Sequence, residues 1–274
     1  MKIRIAGALF ALTMLLPVAG RADTSLPAEK PDLDNKADPV DDDWVRKADI
    51  LYFGDSESLG HFGDDLYRAL SIERDPKTGR PLRVWTYWTC GSDAISWNRG
   101  GVTYCGIRTC NGDGQCARDH GPGDRPATVH YHSARTYLAG VAPRVTIVSL
   151  GTNILTSRDF ENRGFYALYL SAVSQLVGEI RDAGSQCIWI GPPQASEKTK
   201  PIAEYEKFVG DLGRTVTEGG CAFIDSNPLS DRAYVLKGDR EGIHYKSDGE
   251  RAWRIAVWRA LEPVLHTQLA ATRS

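Results

Sequence analysis

The 274-residue chain lacks several signatures that would narrow its role at once. It contains no Cys-x-x-Cys pair, so neither a zinc ribbon nor a thioredoxin-type redox site is favoured. It has no basic cluster. Lys198-Thr199-Lys200 and the stretch from Arg251 to Arg259 are interrupted by apolar and acidic residues and read as solvated helix faces. A nucleic-acid partner is therefore not expected. No stretch beyond the first residues is apolar enough to cross a bilayer, which argues against stable membrane insertion. There is no internal repeat. Asn111-Gly112-Asp113-Gly114-Gln115 hints at a calcium loop but lacks the sixth-position glycine and the closing glutamate. His130-Tyr131-His132 has no acid or thiol cluster nearby, so no metal is expected there either.

What is present is ordinary globular composition, with 42% hydrophobic and 25% charged residues. Lys2 and Arg4 precede an apolar run from Ile5 to Val18, and Gly20 and Ala22 stand before Asp23. This is the three-part pattern of a secretory signal over residues 1–22, too short for a membrane span. Its removal takes Lys2, Arg4 and Arg21 and no acid, leaving 30 bases against 35 acids, a net charge of −5. Residues 23–43 carry eight acids and Pro27, Pro31 and Pro39, too little apolar surface to offset ordering entropy, and read as a flexible acidic linker. The export signal points to a periplasmic or secreted protein. Six cysteines in an oxidising compartment imply disulfides by default.

Strand and helix patterns alternate over the remaining domain, 44–274. Asp49 to Gly54, Leu82 to Tyr87, Arg144 to Leu150, Cys187 to Ile190 and Cys221 to Ile224 read as five strands. Helices are expected over Leu59–Ile72, Gly164–Ala183, about Pro201–Val216, and after Ser247-Asp248-Gly249-Glu250, which has capping-box spacing. Five short strands separated by helices predict an α/β sandwich around a parallel sheet. Thr89 to Gly123 departs from this pattern. It lacks periodicity and holds Cys90, Cys105, Cys110 and Cys116, so it reads as a stapled insertion whose pairing is open among three arrangements. Cys187 and Cys221 lead the last two strands, and neighbouring parallel strands would bring them together as a third disulfide.

The chemistry-bearing residues collect at strand ends. Ser56 follows the first strand on the turn Gly54-Asp55-Ser56-Glu57, near a helix N-terminus that favours negative charge. Gly91 follows the second strand, and Asn153, in Gly151-Thr152-Asn153, the third. His244 stands in Glu241-Gly242-Ile243-His244, just before the last helix. A hydroxyl nucleophile, a base with a carboxylate nearby, and two donors for an oxyanion make a serine-hydrolase constellation.

In this order and spacing the four segments resemble the sequence blocks of the SGNH (GDSL-type) hydrolase family. The resemblance spans about Ile50 to His244. It implies a flavodoxin-like three-layer sandwich with a five-stranded parallel sheet, and ester hydrolysis through an acyl-serine without a cofactor. It also implies Ser56 as nucleophile, His244 as base and Glu241 as the orienting acid. The oxyanion hole would be formed by the N–H groups of Ser56 and Gly91 and the Asn153 side chain. Two residues depart from the pattern. Glu57 stands where the family often has Leu, either facing water or touching a substrate hydroxyl or amine. Glu241 stands where Asp is usual, with Asp239 as its rival. Trp88 and Trp97 are candidates to stack on a sugar face, while Trp85 suits the core. The expected substrate is a small ester, or a cell-envelope or extracellular glycan carrying O-acetyl or other acyl groups. Alternatives are a glycan hydrolase using Asp55, Glu57 and Glu241, a non-catalytic carbohydrate-binding relative, or an acyltransferase.

Overall fold

A computed structural model describes residues 48–119, 128–157 and 160–272. The expected signal (1–22), the acidic linker (23–43) and the end of the expected insertion (120–123) lie outside the described residues.

The strands that read as β-branched and aromatic become the buried centre of a sheet. β1 (Ile50–Gly54) and β7 (Val145–Ser149) are buried along their whole length, as central parallel strands must be when helices cover both faces. They pair in parallel with each other. β1 also pairs with β2 (Val84–Thr89), β7 with β8 (Gln186–Ile190), and β8 with β9 (Ala222–Ile224), all parallel. This five-stranded parallel unit is the one expected. The sheet nevertheless has seven strands, because the cysteine-rich insertion adds two. β4 (Ile107–Cys110) runs antiparallel to β2, and β5 (Cys116–Asp119) antiparallel to β4. Period-2 patterning could not reveal β5, because all four of its residues are exposed. β3 (Gly101–Thr103) and β6 (Val129–Tyr131) form a separate two-stranded ribbon.

Helices cover both faces. α1 (His61–Ile72) and α7 (Ser247–Ala271) lie on one side, where Phe62 stacks on Trp253 with ring centroids 3.6 Å apart. The other side is covered by α2 (Ala94–Arg99), α3 (Ala134–Val141), the short α4 (Thr152–Thr156), α5 (Arg163–Asp182) and α6 (Ile202–Glu218). α7 buries Trp253, Val257, Leu261, Leu265 and Leu269, a stripe at i, i+4 spacing. Its expected capping box does not form. Lys246 is the N-cap, and the Glu250 carboxylate instead accepts the His61 N–H at 3.1 Å, joining the start of α7 to the start of α1.

The six cysteines pair as Cys90–Cys105, Cys110–Cys116 and Cys187–Cys221. The last bridges the starts of β8 and β9, with Cα atoms 4.6 Å apart, as the sequence order suggested.

Opposite the strand C-termini, buried Asp49 accepts from Arg80 Nη1 at 2.7 Å and from the Arg83 N–H at 2.9 Å. Arg144 joins Asp49 and Asp75, and its Nη2 donates to the Leu269 carbonyl at 2.8 Å, clasping the end of α7. Burial raises both carboxyls, but the arginines and backbone N–H groups outweigh it and hold them below the usual carboxylate range. Their stabilisation is therefore complete above the ordinary carboxylate pKa of about 4 and lost as pH falls through the lower folded values. Arg144→Met leaves two buried acids short of a partner. It is expected to cost about 3 kcal/mol, read as a lower denaturant midpoint at unchanged slope.

Candidate active site

The parallel strands run in the order β2-β1-β7-β8-β9, so the chain reverses its winding between β1 and β7. The crevice at the strand C-termini there is where open α/β sheets place ligands. The Ser56 and Asn153 segments leave the sheet at this point.

Asp55 N-caps a 3-10 turn over Ser56–Leu59, its Oδ1 accepting the Glu57 N–H at 3.1 Å. The turn is tight: a Cβ on Gly54 would lie 2.1 Å from Ser58 Oγ. Ser56 is half-buried, between two fully buried acids. Burial pushes the Asp55 carboxyl up to about 7, although the Glu57 N–H, Thr152 and His244 all favour its charged form. Thr152 lies alongside this carboxyl, short of hydrogen-bond geometry with Oδ2.

The other blocks are stitched to this turn. Ser92 Oγ sits 2.8 Å from the Thr89 carbonyl oxygen and 3.3 Å from that of Gly54, and accepts from Trp97 Nε1–H at 3.0 Å. The Ser92 carbonyl in turn accepts from Asn153 Nδ2 at 2.8 Å. A primary amide has two N–H groups, so Asn153 keeps one for another acceptor. Gly91, exposed at the end of β2, has φ +74°, a left-handed conformation natural to glycine. The Cys90–Cys105 bridge and a Cys90 N–H to Gly106 carbonyl bond (3.1 Å) hold the backbone beside it.

His244 lies on a loop that folds back on itself. Asp239 Oδ2 accepts the N–H groups of Ile243 and His244, each at 2.9 Å, and Oδ1 accepts that of Glu241 at 3.2 Å. His244 Nδ1 lies 3.2 Å from Asp239 Oδ2 and 3.9 Å from Glu241 Oε2. Glu241 is 56% exposed and Asp239 12%. The acid beside the imidazole is thus Asp239, against the expectation that favoured Glu241. Burial raises the Asp239 carboxyl, but the three N–H groups and His244 outweigh it and hold it below the usual range. Gly242, at φ +65°, anchors the loop. A Cβ there would lie 2.0 Å from Thr199 Oγ1, and the Gly242 carbonyl accepts the Ser196 N–H at 2.7 Å.

The charges of this loop reach the serine turn. His244 favours the ionised forms of Asp55 and Glu250, while Asp239 and Glu241 oppose ionisation of Glu57. Both neighbours of Ser56 thus feel the loop that carries His244.

Three of the residues considered for substrate contact are placed otherwise. Trp88 and Trp97 are fully buried, Trp88 edge-on to Tyr52 and Tyr67 and Trp97 beneath Ser92. Neither presents a face to a sugar. Glu57 is buried with both carboxylate oxygens. The exposed aromatic ring here is Tyr104, next to Cys105 and thus tethered through the disulfide to Cys90 and Gly91. Ser92 and Thr152 were not foreseen as supports, although each adjoins a block residue. Among the described residues no group of His, Cys, Asp or Glu is arranged to hold a metal ion. None of the described helices is long and apolar enough to cross a membrane.

No family model matches the chain, and no curated protein matches its sequence. Solved structures do. A mutant of Axe2, an acetyl-xylooligosaccharide esterase from Geobacillus, superposes with a TM-score of 0.51 at 12% identity, over 84% of this chain and 99% of that one. A catalytic mutant of Axe2, an acetylxylan esterase from Geobacillus stearothermophilus, gives 0.50 at 12% identity, over 84% and 98%. The chain therefore shares the α/β fold of these two esterase structures.

Proposed function

We propose that this chain is an exported SGNH-type serine esterase that removes an acyl group from a glycan, with Asp239 rather than Glu241 orienting the base. The observation that carries the reading is the Asp239–His244 pair on the loop just ahead of α7, a helix whose first turn is tied through Glu250 to His61, directly after the serine turn. With Nδ1 facing Asp239, His244 Nε2 is the nitrogen free to take a proton.

Ser56 Oγ attacks the acyl carbonyl carbon as its proton passes to His244 Nε2. The oxyanion accepts hydrogen bonds from the N–H groups of Ser56 and Gly91 and from the second N–H of Asn153. Collapse expels the sugar oxygen, which takes the proton from His244, and leaves an acyl-serine. Water then gives a proton to His244 and attacks the acyl carbon. The carboxylic acid departs as the proton returns to Ser56. Asp239 keeps its charge throughout and stabilises the imidazolium.

The glycan part of the reading rests on Tyr104, a residue 64% exposed. Tethered beside Gly91, it offers a rigid face to the apolar side of a sugar ring. The acetylated xylo-oligosaccharides named for the Geobacillus enzyme suggest the substrate class by analogy of fold. Three disulfides and the sequence pattern of residues 1–22 support an oxidising compartment. The carboxylate-pair alternative loses ground, because Asp55 and Glu57 are both buried.

Incubation with a serine-directed phosphonate is expected to add one adduct, located at Ser56 by peptide mass mapping. The labelled protein should no longer release acetate from acetylated xylan. Acetate release without labelling, or labelling elsewhere with Ser56 unmodified, would overturn the assignment.

A further inference from the structure

The proposed oxyanion donor at Gly91 has no side chain to hold it in place. The residue is exposed, and a Cβ on it would meet nothing within 4 Å. Among the described residues no acceptor takes its N–H. A hydrogen bond weakens steeply when the donor points away from its acceptor, so the direction of this N–H must be set by its neighbours.

Cys90 is held at three points by residues 103–106. Its N–H donates to the Gly106 carbonyl at 3.1 Å, its sulfur is bonded to Cys105, and its carbonyl oxygen accepts from Thr103 Oγ1 at 2.7 Å. The third contact bears on the site, because the Cys90 carbonyl and the Gly91 N–H are the two ends of one peptide group. That group is planar and trans, so its two ends point in opposite directions and turn together. Fixing the oxygen fixes the line of the N–H. Thr103 Oγ1 also accepts the Cys105 N–H at 3.3 Å. A run of donors thus leads from Cys105 through the hydroxyl to the Cys90 carbonyl and out through Gly91. Successive hydrogen bonds of this kind polarise one another and strengthen the last donor.

Thr103 is itself anchored. It is 3% exposed and ends β3, opposite Val129 of β6. Tyr131 of β6 packs on Trp97 with ring centroids 5.2 Å apart, and Trp97 donates to Ser92 Oγ. That oxygen lies 3.3 Å from the Gly54 carbonyl, and the Ser92 carbonyl holds Asn153. Both sides of Gly91 are therefore tied to one scaffold that includes the serine turn.

We infer that Thr103 is a positioning residue for the oxyanion hole: its hydroxyl holds the Cys90 carbonyl and thereby aims the Gly91 N–H at the acyl oxygen. The inference rests on the proposed roles of Ser56 and Gly91. Its effect belongs to the transition state, where charge builds on that oxygen, and not to substrate binding.

Thr103→Val keeps the branched shape without the hydroxyl, and Thr103→Ala removes it without added bulk. Each is expected to lower kcat on an aryl acetate about 10- to 100-fold, with KM within about twofold of the parent. Thr103→Ser restores the hydroxyl and should bring kcat back to within about threefold of the parent. Thr86→Val is the control for lost stability. Thr86 is fully buried in the middle of β2, and its Oγ1 accepts the Cys110 N–H at 3.0 Å. Its loss should lower the Tm and leave kcat at the parent value. Equal kcat losses in Thr103→Ala and Thr103→Ser, a loss carried by KM, or an equal kcat loss in Thr86→Val would each overturn the inference. So would parent kcat in Thr103→Val and Thr103→Ala of a protein that Ser56→Ala inactivates, an outcome that leaves the esterase reading intact. Turnover that survives Ser56→Ala would overturn that reading, and the role of Thr103 with it.

Discussion

Ser56→Ala is expected to remove at least about 10⁴-fold of kcat on an aryl acetate, with the Tm close to that of the parent. The loss should be this large because in the proposed mechanism the hydroxyl is the group to which the acyl is transferred. His244 and the oxyanion donors have no other nucleophile to serve except water. The fold should be indifferent, because the turn is capped by the Asp55 side chain and shaped by the crowding of Gly54 against Ser58. A half-buried Ser56 hydroxyl can be removed without opening a cavity. Steady-state kinetics with thermal unfolding of both proteins checks this. An alanine variant within about tenfold of the parent would remove Ser56 from the chemistry.

The second large effect separates the two acids near His244. Asp239→Asn is expected to lower kcat by about 10²- to 10⁴-fold, because an amide at 3.2 Å from Nδ1 can donate to that nitrogen, favour the other tautomer and leave Nε2 protonated. It also replaces a carboxylate that accepts three backbone N–H groups, so the variant should be less stable as well. Glu241→Gln should stay within about fivefold of the parent, the scale of an exposed charge acting at long range. The ratio of the two losses on one substrate is the measurement. Comparable losses, or a larger one at Glu241, would return the orienting role to Glu241. Acid adds a sign. Asp239 is held below the usual carboxylate range, so its support of the loop is present above the ordinary carboxylate pKa of about 4 and lost only as pH falls through its lower folded value.

These two experiments fall on residues of very different legibility. Ser56, Gly91 and Asn153 could be named as candidates because each stands just beyond a strand, and strands announce themselves by runs such as Val145-Thr146-Ile147-Val148-Ser149. Once five such runs alternate with helices, right-handed crossovers leave little freedom in where their C-terminal ends gather. The pairing of Cys187 with Cys221 was legible for the same reason, as parallel neighbours in register. Asp239 was named only as a rival. Its carboxylate reaches the N–H groups four and five residues on because the loop turns back at Gly238 and Gly242, both at positive φ. Motif spacing carries no information about such a fold-back.

Trp88 and Trp97 were misplaced for a related reason. A tryptophan at a strand end or in a loop reads equally as a binding platform or as core, and burial is decided by what packs on it. Here Arg108 of β4 comes to 5.5 Å from the Trp88 ring centre, and Tyr131 of β6 packs on Trp97. β4 and β6 lie in or just beyond a stretch that shows no period of its own.

Local sequence, then, determined the strands and most of the long helices, the serine turn, the order of the site segments and one disulfide. Each follows from short-range patterns of apolar and β-branched residues or from the fixed geometry of neighbouring strands. Tertiary structure alone decided which acid meets His244, which aromatic ring stays exposed, and how the insertion is stapled. It also decided that Glu57, the acid after Ser56, is buried. Those outcomes depend on contacts between segments far apart in the chain, where side-chain reach and burial set the result and no local pattern encodes them.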